Sequence, residues 1–247
     1  MAKLDKILKK WRRHFLRTFG YKLIKIDKLD VNFESILYHG LRKSGDFFFV
    51  QIGANDGEDH IYEFVSKNHD KVSGMVIEPL KDIFDELAYK YRKFSKITPV
   101  NVAIHNSESE MILYRIAPQK LKTLPRWLKG ISSFNENHHR LTNTPSNWII
   151  PVKVPCVSLH ELFNRYQIKK VDLLQIDTEG YDAQIILNLD FNAIKPTVIR
   201  FEHGVPANIM SKEALQQLLD FLHKHGYEVL VEPNDATAYQ LDLMIAS

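Results

Sequence analysis

The sequence predicts an α/β fold, a seven-stranded and mostly parallel sheet with helices on both faces. Three observations predict it. The apolar run Phe47 to Val50 passes through Gln51 and Ile52 into the turn Gly53-Ala-Asn-Asp-Gly57, and a helix is expected from Glu58. A second apolar run, Val72 to Ile77, ends in Glu78-Pro79 and is followed by a helix over 80–91. Strand and helix patterns then alternate along the chain, as βαβ units do.

In chain order, residues 1–45 read as a basic, helical N-terminal extension, with helices over about 3–19 and 33–44. Residues 46–247 read as one domain of strands 47–52, 72–77, 97–104, 171–176 and 197–201, closed by an antiparallel pair at about 227–232 and 239–245. The turn composition Glu-Pro-Asn-Asp joins that last pair. Helices are expected at 58–67, 80–91, 181–188 and 211–225, and Ser158-x-x-Glu161 is a capping box opening a helix to Tyr166. Two further strands, 110–116 and 148–157, flank residues 117–147, an irregular insertion rich in Pro that we read as an acceptor-side lid.

The turn after the first strand carries the first chemical signal. Gly53 and Gly57 bracket it, where a side chain would block a ligand. The spacing is neither the dinucleotide signature nor a phosphate-binding loop. Asn55 and Asp56 instead offer an amide and a carboxylate, which suit a cationic or zwitterionic ligand such as S-adenosylmethionine (SAM). Glu78 stands 25 positions after Gly53, close to the roughly 20 at which such sheets hold ribose hydroxyls. Asn101 and Ala103, near the end of the third strand, are expected against an adenine ring.

Composition narrows the class. The chain has 247 residues, 45% hydrophobic and 26% charged, with no apolar run of the ~18 residues a membrane span needs. The basic N-terminus lacks the apolar core and cleavage site of a secretory signal. The single cysteine, Cys156, lies in an apolar strand, reads as buried and not nucleophilic, and fits a reducing cytoplasm. The net charge of +3 is too small to argue for nucleic acid, but residues 1–28 hold ten Lys/Arg against two acids. Leu4, Leu8, Trp11, Phe15 and Phe19 recur there at helical spacing. This stripe is expected to dock on the chain's own domain or on a second subunit in a homo-oligomer. The alternatives are a peripheral contact at the inner membrane face and nucleic acid, the least favoured.

Taken together, Ile52-Gly-Ala-Asn-Asp-Gly57, Glu78-Pro79, Asn101-x-Ala103-Ile104, Ser132-Ser133, Val157-Ser-Leu159 and Asp172-Leu-Leu-Gln-Ile-Asp-Thr-Glu-Gly180 resemble the FkbM family of SAM-dependent methyltransferases. The family's usual form of the last motif is Lys-Ile-Asp-Val-Glu-Gly-Ala-Glu. This chain has Gln175 for the Lys, Thr178 for the Val and Tyr181-Asp182 for the Ala-Glu. The resemblance implies a Rossmann-like class I methyltransferase sheet and methyl transfer to a hydroxyl of a saccharide, polyketide or other small natural product.

A hydroxyl is a weak nucleophile, so its proton needs a base or a metal. Asp177 and Glu202 end the fourth and fifth strands, and with His203 they are the expected catalytic groups. Asp177 and Glu202 also suit Mg²⁺. Ser132, Ser133, His138, His139 and Glu179 are the expected acceptor contacts. Two other functions compete: a nucleic-acid methyltransferase, and a non-catalytic SAM-fold binding module. Against the first, the chain has no Asn/Asp-Pro-Pro-Tyr/Phe motif.

Overall fold

The computed structural model describes residues 31–244. The stripe from Leu4 to Phe19 therefore lies outside the described residues. No helix among the described residues is long and apolar enough to cross a membrane.

Helix α1 (Phe33–Ser44) opens with a capping box: the Asn32 side chain accepts from the Ser35 N–H at 2.8 Å, and Ser35 Oγ accepts from the Asn32 N–H at 3.1 Å. Its buried Phe33, Ile36 and Leu37 pack with Phe47, Phe49, Phe64 and Val65. The core therefore reaches back into the segment read from sequence as an N-terminal extension.

The elements that follow are β1 (Phe47–Ile52), α2 (His60–Asn68), β2 (Val72–Ile77), α3 (Lys81–Tyr91), β3 (Ile97–Val100), β4 (Ala103–Ile104) and β5 (Glu110–Ile116). Then come α4 (Pro118–Leu121), β6 (Ser132–Ser133), β7 (Ile149–Val157), α5 (Leu159–Arg165), β8 (Leu173–Ile176) and α6 (Asp182–Leu187). The chain continues with β9 (Val198–Glu202), α7 (Lys212–Lys224), β10 (Tyr227–Val231), β11 (Asp235–Gln240) and a short α8 (Leu241–Met244).

Seven strands form the main sheet in the order β10-β11-β9-β8-β1-β2-β3. Within it β11 runs antiparallel to both its neighbours, and every other pair is parallel. This is the strand arrangement that the sequence resemblance implied, a Rossmann-like sheet with an antiparallel final hairpin. Helices α5, α6 and α7 cover one face, and α1, α2 and α3 the other. Each large apolar side chain so buried contributes roughly 1.5–3 kcal/mol. The chain reverses its direction of winding between β1 and β8, and ligands of open α/β sheets bind at that point, beyond the strand ends.

Two strand regions differ most from the sequence reading. The stretch 97–104 splits after Val100. There the Glu78 N–H donates to the Val100 carbonyl at 3.1 Å, and β4 leaves the main sheet to pair with β7. The last strand runs Asp235–Gln240 instead of 239–245: it begins four residues earlier than expected and gives way to the helix α8 at Leu241. Ala236, Thr237 and Ala238 are small, carry little apolar signal and are fully buried between β9 and β10. Arg200 pins this hairpin, binding Asp235 at 2.9 Å, Glu232 at 2.5 Å and Thr237 Oγ1 at 2.9 Å.

A second sheet, β4-β7-β5-β6, is built on the long antiparallel pair of β5 and β7. Residues 117–147 leave the end of β5 and return at β7. They are ordered by α4, β6 and 3₁₀ turns at Arg126–Lys129, His138–Thr142 and Ser146–Trp148. Cys156 lies half-buried on β7 and burial pushes its thiol up to about 11, which agrees with an inert strand residue.

Candidate active site

A cavity of about 280 Å³ opens beyond the C-terminal ends of β1, β2 and β8. Gly53 and Asn55 wall it from the β1 turn, Glu78 and Pro79 from the β2 end, and Asp177, Thr178 and Glu179 from the β8 end. Val102 links β3 to β4, Ala103 begins β4, and Trp127, Gly130, Ser132 and Phe134 come down from the insertion.

Glu78 is the polar centre of this cavity. It is 5% exposed, and its two carboxylate oxygens accept from the backbone N–H of Leu80 at 2.9 Å and of Asn55 at 3.1 Å. Those bonds fix the plane of the carboxylate. Burial pushes its pKa up to about 7, against the lowering by those two amides and Arg115. Beside it Asn55 takes a left-handed backbone, φ 47°, and its Oδ1 is buried without a partner among the described residues. A buried acceptor left unpaired costs about 1–3 kcal/mol, and a donor on a ligand would remove that cost. An ammonium or hydroxyl donor of SAM fits this pair of acceptors.

Several expected cofactor contacts turn elsewhere. Gly53 lines the cavity, but its lack of a side chain answers to the protein: a Cβ would stand 1.7 Å from the Asp177 carbonyl oxygen. Gly57 faces α3, where a Cβ would meet Leu87 and Tyr91. Asp56 is likewise off the cavity wall. Its carboxylate meets Arg126 at 2.8 Å and Lys129 at 3.3 Å, because the left-handed turn at Asn55 points it toward the insertion. Asn101 clamps the β2 end from behind, donating to the carbonyls of Glu78 and Pro79 at 2.9 Å each, and Val102 takes the place expected of it.

The acids form one cluster. Asp177, Glu179 and Glu202 each present an oxygen within 4.8 Å of the others. Asp177 opens onto the cavity and water reaches it, yet protein surrounds it closely. That burial, followed by Glu179, Asp182, Glu202 and Asp235, holds its carboxyl well above the usual range. Glu202 is pushed up to about 8, by burial first and then by Glu179, Asp182 and Asp235, and its Oε2 is buried without a partner among the described residues. Three carboxylates this close suit a divalent cation, and equally suit a shared proton.

Asp182, fully buried, organises the cluster. It accepts from the Thr178 N–H at 3.1 Å, the Thr178 hydroxyl at 2.5 Å and the Glu202 N–H at 3.1 Å, tying the end of β8 to the end of β9. His203 does not join them. It is buried, its Nε2 donates to the Glu232 carbonyl at 3.0 Å and its Nδ1 accepts from the Val205 N–H at 3.2 Å. With both ring nitrogens committed to backbone, it holds the loop after β9 and has no nitrogen left for a proton from an acceptor.

A second cavity, of about 530 Å³, shares Glu179 with the first. Ser133, Phe134, His138, Arg140, Tyr181 and Asn208 are on its walls. Glu179 takes φ 53°, a conformation that costs a non-glycine residue roughly 1–3 kcal/mol. Two contacts hold it there: Ser133 Oγ donates to its carbonyl at 2.8 Å, and His138 Nε2 meets its carboxylate at 2.9 Å. Of the expected acceptor contacts, Ser132 sits on the first cavity, Ser133 and His138 on the second, and Glu179 on both. His139 faces neither; its Nδ1 donates to the Thr144 carbonyl at 2.8 Å inside the insertion.

Trp127, Gly130, Phe134, Thr178 and Asp182 were assigned no site role from the sequence. Asp182 carried the one usable signal, an acid at the last position of the motif in place of the usual Glu. The insertion offered only its aromatic residues, without periodicity to show which way they point.

No curated protein matches the chain. Similar solved structures include a putative caffeoyl-CoA O-methyltransferase from Staphylococcus aureus, 11% identical, with TM-score 0.46 and coverage of 94% of this chain and 91% of that one. A precorrin-6y C5,15-methyltransferase from Geobacter metallireducens is 16% identical, with TM-score 0.41 and coverage of 88% and 94%. For the fibrillarin pre-rRNA processing protein of Methanococcus jannaschii the identity is 13%, the TM-score 0.41 and the coverage 78% of this chain and 65% of that one. The methyltransferase FkbM domain matches residues 51–229, most of the chain, from the last two residues of β1 into β10. The chain therefore belongs to the FkbM family of SAM-dependent methyltransferases.

Proposed function

We propose that this methyltransferase acts on a hydroxyl oxygen of a saccharide or another small natural product, with SAM held in the first cavity and the acceptor in the second. The observation that carries this reading is Glu179, which stands on the wall of both cavities within 4.8 Å of Asp177 and Glu202. An acceptor hydroxyl there lies next to a group that can take its proton.

When bound, SAM supplies a methyl group activated by its sulfonium. The chain does the rest. Glu78 accepts ribose hydroxyls and Asn55 Oδ1 accepts a donor of the same molecule. The Asp177–Glu202 pair takes the proton as the acceptor oxygen forms its bond to the methyl carbon, while the carbon–sulfur bond breaks and its electron pair stays on sulfur. A carboxyl with a pKa near 8 is matched to this task close to neutral pH.

The test is methyl transfer from a labelled donor to a panel of saccharides, small phenols and RNA. Label in a saccharide or other small hydroxyl compound is the expected result; label only in RNA moves the enzyme to nucleic acid, and none in any acceptor beside tight SAM binding points to a binding module. Glu202→Gln should lower the rate at least about a hundredfold, the range of lost acid–base assistance, with SAM affinity kept. Full activity in chelator-treated, metal-free buffer supports direct proton transfer. Loss restored by Mg²⁺ assigns the cluster to a cation instead.

A further inference from the structure

Trp127 walls the cofactor cavity while 61% exposed, an indole poised over the opening on a short 3₁₀ turn. The residues around it tie that turn down. Arg126 pairs with Asp56 at 2.8 Å and also with Glu58. Lys129 reaches the same Asp56 oxygen at 3.3 Å and also pairs with Glu86 on α3. All three acids lie outside the insertion and off the cavity wall, in or just after the β1 turn and on α3. Main chain follows side chain: a Cβ on Gly130 would stand 3.0 Å from Asn55 Nδ2, so the insertion rests on the turn itself.

Asp56 is the anchor of this network. Its side chain is almost fully buried, whereas Arg126 is half exposed. Burial alone would raise the Asp56 pKa; the Arg126 bond and the Lys129 charge reverse that and hold it below the usual range. The Arg126–Glu58 and Lys129–Glu86 pairs each have an exposed acid, so they are individually weak and screened by salt and can break without unfolding the sheet beneath them. An indole face also stacks on a purine.

We infer that Trp127 is the closing wall of the cofactor site and stacks on the cofactor's purine, and that Arg126 and Lys129 latch it shut through Asp56, Glu58 and Glu86. The insertion then serves both substrates: its first half covers the cofactor, and its second half, from Ser133 to Arg140, lines the acceptor cavity. This rests on the reading that the first cavity holds SAM.

The experiment uses the full chain and S-adenosylhomocysteine as probe, with binding followed by calorimetry and by stopped-flow tryptophan fluorescence. Binding should change the emission of the wild-type protein. Trp127→Phe should lose that change, although Trp11 and Trp148 remain, and should bind about tenfold more weakly, the scale of one base–aromatic stack. The double variant Arg126→Gln/Lys129→Gln should release the probe about tenfold faster and lose the salt dependence of the wild-type off-rate, in addition to the fall in melting temperature expected when the buried Asp56 loses two partners. A merely structural role would lower the melting temperature and leave the off-rate of the folded fraction alone. Wild-type binding with both variants unaltered overturns the latch by itself. Failure of the wild-type protein to bind removes the cofactor reading, and the latch with it.

Discussion

Asn55 and Asp56 are neighbours in sequence and part company in space. The sequence offered both to the cofactor because strand-end polar residues of an α/β sheet meet ligands. The positive φ of Asn55 decides between them, leaving its amide at the cavity and sending Asp56 to Arg126 and Lys129. Glu78 was legible because its place depends only on where β2 ends. His203 was not, since its bonds to Glu232 and Val205 depend on a hairpin and a loop that spacing does not reveal. For Glu78 the consequence is measurable. Hydrogen bonds to a charged group contribute about 1.5–3 kcal/mol, so Glu78→Ala should weaken SAM binding about tenfold or more by calorimetry. Unchanged affinity would take Glu78 out of the site.

At the scale of elements, β1 and β2, with their strong apolar runs, were read correctly to the residue, and β8 and β9 to within two residues. Those whose limits are set by pairing partners were not. β3 and β4 separate because Asn101 holds the β2 end from the side, and β11 hides in the small residues Ala236 to Ala238. The junction of β1 and β8 is the tightest of these contacts: Gly53 and the Asp177 carbonyl touch where the two strands end in register. Gly53→Ala should therefore cost on the order of 3 kcal/mol or more in denaturant unfolding, as severe overpacking does. Gly45 is the control. It has a similar positive φ, 73°, but open space around it, so Gly45→Ala should show only the ~1–2 kcal/mol of the backbone conformation. Equal losses at the two positions would mean that the close approach at Gly53 relaxes readily.

For the whole molecule, burial raises the pKa of several acids of the site, and stability should record it. Burial raises Asp182 to about 6, Glu78 to about 7 and Glu202 to about 8, from ordinary values of 3.8, 4.5 and 4.5. Between the ordinary and the raised value the folded chain holds a proton that the unfolded chain has released. Stability from these groups is complete below about pH 4 and is lost as pH rises through the raised values. The lowered groups, Asp56 and Asp82, act in the opposite sense, adding stability that disappears only as pH falls below the ordinary carboxylate range. The ligand-free protein should thus melt at a higher temperature near pH 5 than near pH 8, and Glu202→Gln should flatten the upper part of that slope. SAM enters the same linkage. If ribose hydroxyls donate to Glu78 as proposed, they favour its ionised form, so binding draws its pKa down and expels a proton from sites still protonated. The rise in melting temperature on adding SAM should then grow from pH 5.5 to pH 8, against the falling baseline of the free protein. A shift independent of pH would mean that the cofactor does not bind through the Glu78 carboxylate.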